Sequence, residues 1–371
     1  MGAAATLRSR IEFGLRRVPI PALRDIVAKR PASGRNIDAL DGVRGLAVLL
    51  VIASHTGAFH LRGQGGVGVW LFFCLSAFLL TMPFADRPER ATDLPTLRRY
   101  FARRVRRIVP AYYLILAVDF VVLGDVELSV LARHVLFLQG DSILWTIPQE
   151  VLFYALLPFF AAAHVFVFRR SRPATVLGLA AVAVVASFLL DASVFAMHGN
   201  GHWMRFYLGV FATGMAFAYA HASPRLARIA AGPRLNRALG GLGLAILVLL
   251  LTTSKYYQLA WFSSVPILRS LAVPMGWAYP GSFAVLCSAL IYITLVCEGR
   301  WIQRLMSSLV LRALGITSYS LYLWHLVVLD TLMGLGVAPG LPLFAATLGV
   351  AYPLSCAIYA FVERPFMQKR S

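Results

Sequence analysis

Ten apolar runs of roughly membrane length restrict this chain more than any other feature. They fall at about 40–60, 66–83, 108–124, 148–168, 174–197, 203–220, 237–254, 279–298, 314–335 and 341–363. A helix needs about 20 apolar residues to cross the hydrocarbon core of a bilayer. Inside that core the backbone must satisfy its own hydrogen bonds, which a helix does within one segment. The fold class is therefore all-α: a polytopic membrane protein with about ten transmembrane helices. Of 371 residues, 59% are hydrophobic and 14% are charged. A soluble domain carries about 25% charged residues.

The net charge of +19 sorts by position. With the N-terminus in the cytoplasm and ten crossings, 29 of the 35 Lys and Arg residues fall on the cytoplasmic side. Five fall outside (Arg62, Arg133, Arg205, Lys255 and Arg269), and Arg44 lies within a helix. Such a bias is the positive-inside pattern, so both termini are expected in the cytoplasm. Topology accounts for the basic balance, which removes the argument for nucleic acid. The expected setting is a membrane crossed many times, the bacterial inner membrane.

Residues 1–36 carry eight basic residues and no apolar core of a cleavable signal peptide. Leu7, Ile11, Leu15 and Val18 are at helical spacing, so this segment reads as a solvated basic tail or an interfacial helix against anionic headgroups. Residues 37–367 form the transmembrane domain, and 368–371 a short cytoplasmic tail. Residues 255–279, rich in aromatics and proline, read as a belt segment or a re-entrant cover over an outward-facing site. Cys74, Cys287, Cys297 and Cys356 sit in apolar runs without paired or metal-ligand spacing, as buried thiols do. No metal is expected.

The first run, LDGVRGLAVLLVIASH, carries Arg44 and, eleven residues later, His55. On a helix these two point within about 20° of each other and lie about 16 Å apart along the axis. Arg44 could snorkel to the interface and His55 could bond a neighbouring helix. Their shared face also suits one elongated ligand that touches both. In RRYFARRVRRIVP, Arg99, Arg103 and Arg106 follow one helix face, with Arg104 and Arg107 beside it. They can anchor the helix, and clustered guanidiniums also bind phosphate through their planar donors. Glu150, in WTIPQEVLFY, is placed at the outer end of the fourth span. There it either favours the helix N-terminus or orients His55 from the opposite side. In GITSYSLYLWH, Ser318, Tyr322 and His325 share a face, with His325 at about the depth of His55. Glu363 and Arg364 in FVERPF read as a structural pair at the interface. No esterase elbow, zinc-protease, Walker or dinucleotide motif is placed where it would act.

Taken together, the Arg44–His55 run, GVWLFFCLSAFLLT, FARRVRRIVPAYY, WTIPQEVLFY, LGITSYSLYLWH and FVERPF resemble, in the same order, the acyltransferase 3 family of membrane O-acyltransferases. The likeness covers residues 40–366. It departs at Ser76-Ala77, where the family has Ser-Gly, and around Glu150, where WTIPQ replaces WSLAV. No esterase-like domain is expected at either end, unlike in some members.

The resemblance implies ten transmembrane helices and an acyl-CoA donor, commonly acetyl-CoA. It implies transfer to a hydroxyl of a carbohydrate, glycolipid or secondary metabolite. By motif position, Arg44 and His55 match the family's essential pair. Arg103 and Arg106, with Arg104 and Arg107 adjacent, match the arginines that hold the coenzyme's phosphates, and Glu150 matches the family's acidic residue. The mechanism this suggests is a donor gripped by Arg44 and the arginine cluster, with its thioester carried to His55. His55 acts as general base or forms an acyl-histidine, Glu150 orients it, and Ser318, Tyr322 and His325 line the same cavity. The alternative is a transporter or flippase without chemistry, since these too keep ionisable groups at mid-membrane. The halves of this chain show no internal repeat.

Overall fold

A computed structural model describes residues 37–123, 127–190, 207–230, 232–253, 280–297 and 300–368, and among these it holds helices and no strands. The expected interfacial helix before residue 37, the cover at 255–279 and the tail beyond 368 lie outside the described residues, as do parts of the fifth and sixth spans. Among the described residues five helices are long and apolar enough to cross a membrane: Asp38–Thr56, Gly65–Asp86, Ser142–Phe166, Pro233–Thr252 and Leu341–Met367. Arg172–Ala186 and Gly281–Val296 are shorter apolar helices.

Helix α1 (Ile37–Thr56) is the hub. On one side it packs on α2 (Gly65–Asp86), which runs antiparallel to it. The expected third run at 108–124 is the second half of a longer helix. It begins in the basic stretch as α3 (Leu94–Val118), capped by the Asp93 carboxylate on the Thr96 N–H, and ends in a π turn at Asp119–Leu123. Hydrogen bonding to Thr96 holds the Asp93 carboxyl below its usual pKa. The chain continues through α4 (Leu128–Val135), α5 (Thr146–Phe166), α6 (Arg172–Leu190), α7 (Leu208–His221), α8 (Pro224–Ala230), α9 (Pro233–Thr252) and α10 (Pro280–Val296). It closes with α11 (Trp301–Met306), α12 (Leu309–Ile316), α13 (Ser318–Gly334), α14 (Leu341–Ile358), a π turn at Tyr359–Glu363, and α15 (Arg364–Gln368). Helix α7 packs on α2, α6 and α10, and α13 lies against α14 and α1.

Helices α1 and α12 cross closely. This is possible because glycines face the crossing, and small residues let helix backbones approach. A Cβ on Gly315 would sit 1.7 Å from the Asp41 carbonyl oxygen, and one on Gly45 2.0 Å from that of Leu311. Nearby, buried Arg312 pairs with Asp38 at 3.1 Å. Gly315→Ala must therefore push α1 and α12 apart. Overpacking of this kind costs about 1–3 kcal/mol or more. The expected result is a lower unfolding midpoint in detergent than for Gly334→Ala, whose Cβ meets nothing within 4 Å.

Cys74, Cys287 and Cys297 are buried and Cys356 is half-buried, all as free thiols. The apolar core runs through α1, α2, α7, α10 and α13 without a break. The polar groups described next are set into it.

Candidate active site

One cavity opens between α1, α2, α3, α5 and α13, and it holds about 790 Å³ counted to its open mouth. Arg44, Arg104 and Arg107 line it, with Ser76, Glu150, Tyr154, Ser318, Tyr319 and Tyr322. Three guanidiniums from two helices thus meet one space.

Two of them already have carboxylate partners. Arg44 donates to Asp41 one turn earlier on α1, at 3.2 Å. Arg107 donates to Glu363 at 2.8 Å, and Glu363, wholly buried, also accepts from Ser320. Arg104 lies over the Tyr154 ring at 5.8 Å and has no carboxylate partner among the described residues. The Glu150 carboxylate accepts from Ser76 at 2.8 Å and from the Tyr154 hydroxyl.

Of the four arginines expected on α3, Arg104 and Arg107 line this cavity. Arg103 is exposed and Arg106 is partly so, and neither lines the cavity. The reason is helical phase. Tyr100, Arg104, Arg107, Ile108, Ala111 and Ile115 follow one stripe at 3.6-residue spacing, and that stripe faces the bundle. Arg99 and Arg103 point away from it.

Glu150 is also displaced from its expected place. Gly65 lies beside Ser54, and Gly68 beside Ala47 and Val51. Further along α2, Ser76 is therefore level with Arg44, and Glu150 is bonded to Ser76. The cause is where α5 begins. The 3₁₀ turn Ser142–Trp145 ahead of it carries buried Ile143, Leu144 and Trp145, so the helix starts inside the bundle. Glu150 is past the first turn, with its carboxylate committed to two hydroxyls. It neither caps α5 nor meets His55.

His55 is in the last turn of α1 and exposed, about 16 Å along the helix from Arg44. Its partner is His325 of α13. His55 Nδ1 and His325 Nε2 are 2.9 Å apart, with the rings 5.1 Å apart and 22° from parallel. His325 is fully buried, and its Nδ1 donates to the Tyr322 carbonyl at 2.6 Å. Ser318, Tyr322 and His325 thus do not share one cavity. Ser318 and Tyr322 line the arginine cavity, whereas His325 serves His55.

Neither histidine lines that cavity. Arg44 and His55, expected to line one passage, do not line one cavity here, and Tyr322 adjoins both groups. Its ring lines the cavity and is 5.8 Å from that of His325. Its hydroxyl donates to the Ile143 carbonyl at 2.8 Å and accepts from Thr146 at 3.2 Å.

Glu363 was expected beside Arg364. It reaches across the bundle to Arg107 instead, because the π turn at Tyr359–Glu363 aims it inward.

The family described as an acyltransferase domain matches residues 37–360, nearly nine-tenths of the chain. The chain belongs to the acyltransferase 3 family. It is 29% identical over 345 residues to YrhL of Bacillus subtilis, provisionally named a peptidoglycan O-acetyltransferase; the match covers 80% of this chain and 49% of YrhL. It is 25% identical over 338 residues to the peptidoglycan O-acetyltransferase OatA of Listeria monocytogenes, covering 79% of this chain and 49% of OatA. A Staphylococcus aureus protein provisionally named an O-acetyltransferase is 23% identical over 361 residues, 90% of this chain and 58% of that one. The chain thus spans about half the length of the curated relatives it matches. No solved structure matches it. Family membership and the apolar helices make the chain a multi-pass integral membrane protein of an acyltransferase family.

Proposed function

We propose that residues 37–367 form a membrane O-acyltransferase that moves an acyl group, acetyl by default, from acyl-CoA to a hydroxyl. The acceptor class is a cell-envelope carbohydrate, in keeping with the names of the relatives above. In this reading the bundle crosses a bacterial inner membrane ten times, with both termini in the cytoplasm.

The observation that carries the proposal is the division of the polar groups into two stations on one helix. Arg44, Arg104 and Arg107 line a cavity at one end of α1, and His55 with His325 stands at the other. Phosphates of the donor suit the first station. Arg104 is the guanidinium there without a carboxylate of its own, and a phosphate supplies the missing charge. Glu150, Ser76 and Tyr154 shape the wall beside Arg44, and Ser318 lies across from them. The donor's flexible arm then runs along α1, and Tyr322 must swing aside for the thioester to pass. At the second station His55 takes the proton of the acceptor hydroxyl as its oxygen attacks the thioester carbonyl. The C–S bond breaks, and the departing thiolate takes the proton back from the imidazolium.

The geometry separates cavity arginines from surface ones, and kinetics can test the difference. Arg104→Ala removes a charged hydrogen-bond donor, worth about 1.5–3 kcal/mol. The Michaelis constant for acetyl-CoA should rise about 10- to 100-fold, with Arg103→Ala near wild type. Equal effects of the two would overturn the cavity as the donor site.

The reaction itself is tested by mass spectrometry of envelope glycans and glycolipids from cells with and without the gene. A lost acetyl ester is expected. An unchanged envelope, with no coenzyme A released from acetyl-CoA by membranes holding the protein, would favour transport without chemistry.

A further inference from the structure

We infer that His325 is a positioning residue whose hydrogen bond sets which nitrogen of His55 is free to act as base. The inference rests on the reading of His55 as general base.

A carbonyl oxygen accepts and cannot donate, so the 2.6 Å contact with Tyr322 requires a proton on His325 Nδ1. A neutral imidazole carries one N–H, and His325 is fully buried. Burying an unpaired cation is costly, and no ion pair is formed by His325 among the described residues. Its Nε2 is therefore an acceptor. The hydrogen bond at 2.9 Å to His55 Nδ1 must then be supplied by His55. This places the proton of neutral His55 on Nδ1 and leaves Nε2 bare.

The chain of hydrogen bonds runs from His55 through His325 to a main-chain carbonyl inside α13. That carbonyl, freed from its usual helical role or shared with it, is a rigid terminus. The arrangement does what a carboxylate does behind a catalytic histidine, which is to choose the tautomer and hold the ring. It differs in placing no negative charge behind the ring. Asp330, one turn beyond His325 on the same helix and exposed, is the carboxylate whose field reaches His55, and it makes no hydrogen bond to either ring.

Two further facts fit. Exposed His55 faces outward beyond the bonded edge, whereas His325 is enclosed. Tyr322 supplies the terminal carbonyl from its backbone while its ring lines the arginine cavity. The element that orients the base is thus the same helical turn that separates the two stations. Glu150 is level with Arg44 and is not available for this role.

The direct test is ¹⁵N NMR of the full chain, histidine-labelled, in detergent micelles, with His55 assigned by its loss in His55→Ala. The expected result is a protonated Nδ1 and an unprotonated Nε2 for His55 in the wild type. In His325→Ala the free histidine preference, proton on Nε2, should take over. A wild-type His55 protonated on Nε2 overturns the inference whatever the variants do.

Kinetics supply the second readout, as coenzyme A release from acetyl-CoA by native membranes. His325→Ala should lower kcat about 10²-fold, the lower end of what a general base contributes, with the Michaelis constant for acetyl-CoA unchanged. His325→Gln keeps an acceptor oxygen and should recover at least tenfold of that loss. Full activity in His325→Ala, or a loss that Gln does not relieve while the His55 tautomer is unaltered, sinks the positioning role. If instead His55→Ala is active, the base reading fails, and the NMR result still stands or falls separately.

Discussion

His55→Ala should lower acyl transfer by about 10²–10⁴, the range a well-placed general base supplies, while the protein inserts and elutes as the wild type does. The second half of the expectation follows from where the residue stands. His55 is exposed and in the last turn of α1, so its removal opens no cavity in the core. What it orphans is one acceptor nitrogen of buried His325, whose other nitrogen remains bonded to Tyr322. One unsatisfied buried group costs about 1–3 kcal/mol, too little to explain a loss of several orders of magnitude through unfolding. The measurement is acetyl transfer in membranes normalised to folded protein. The donor should still bind, since Arg44 is about 16 Å away along α1 and Arg104 and Arg107 line the same cavity as Arg44. An active His55→Ala enzyme would end the catalytic assignment.

Glu363→Ala should be the most destabilising single change at the site. It leaves Arg107 without its carboxylate and Ser320 without its acceptor. Breaking a buried ion pair from one side costs about 3–5 kcal/mol. The Arg107 side chain is 24% exposed where it reaches the cavity, so the lower end of that range is expected. Glu363→Gln keeps the shape and an acceptor for Ser320, and should lose less. Replacing both partners, Arg107→Met with Glu363→Met, removes both charges together and should restore most of the unfolding midpoint, because paired deletion avoids the lone buried charge. Donor affinity should not return with it, since Arg107 lines the cavity. Recovery of stability without recovery of affinity separates the two duties of this guanidinium. Recovery of both would remove Arg107 from the donor site.

Much of the site was legible because single helices carry it. The face shared by Arg44 and His55 is a matter of helical phase, and the structure keeps both on α1. The depth match between His55 and His325 was likewise read from run positions, and the rings touch. The differences in placement come from two sources. The first is a choice of stripe. Arg103 and Arg106 sat in the familiar motif positions, yet Tyr100, Ile108, Ala111 and Ile115 mark the buried face and carry Arg104 and Arg107 with them. That signal was present in the spacing. The second source is contact between helices far apart in sequence. Nothing local says that Glu150 meets Ser76, that Glu363 crosses to Arg107, or that α5 begins inside the bundle behind a 3₁₀ turn. Those follow from packing and from a π turn whose phase shift no apolar run reveals.

Tyr322 has a consequence beyond the reaction. Its phenol ring, held at the hydroxyl by Ile143 and Thr146, adjoins both the arginine cavity and the histidine pair. Two imidazoles in line with three guanidiniums would invite a proton leak across a bilayer. Under the proposed function, a ring placed beside both groups would hold back that leak between turnovers.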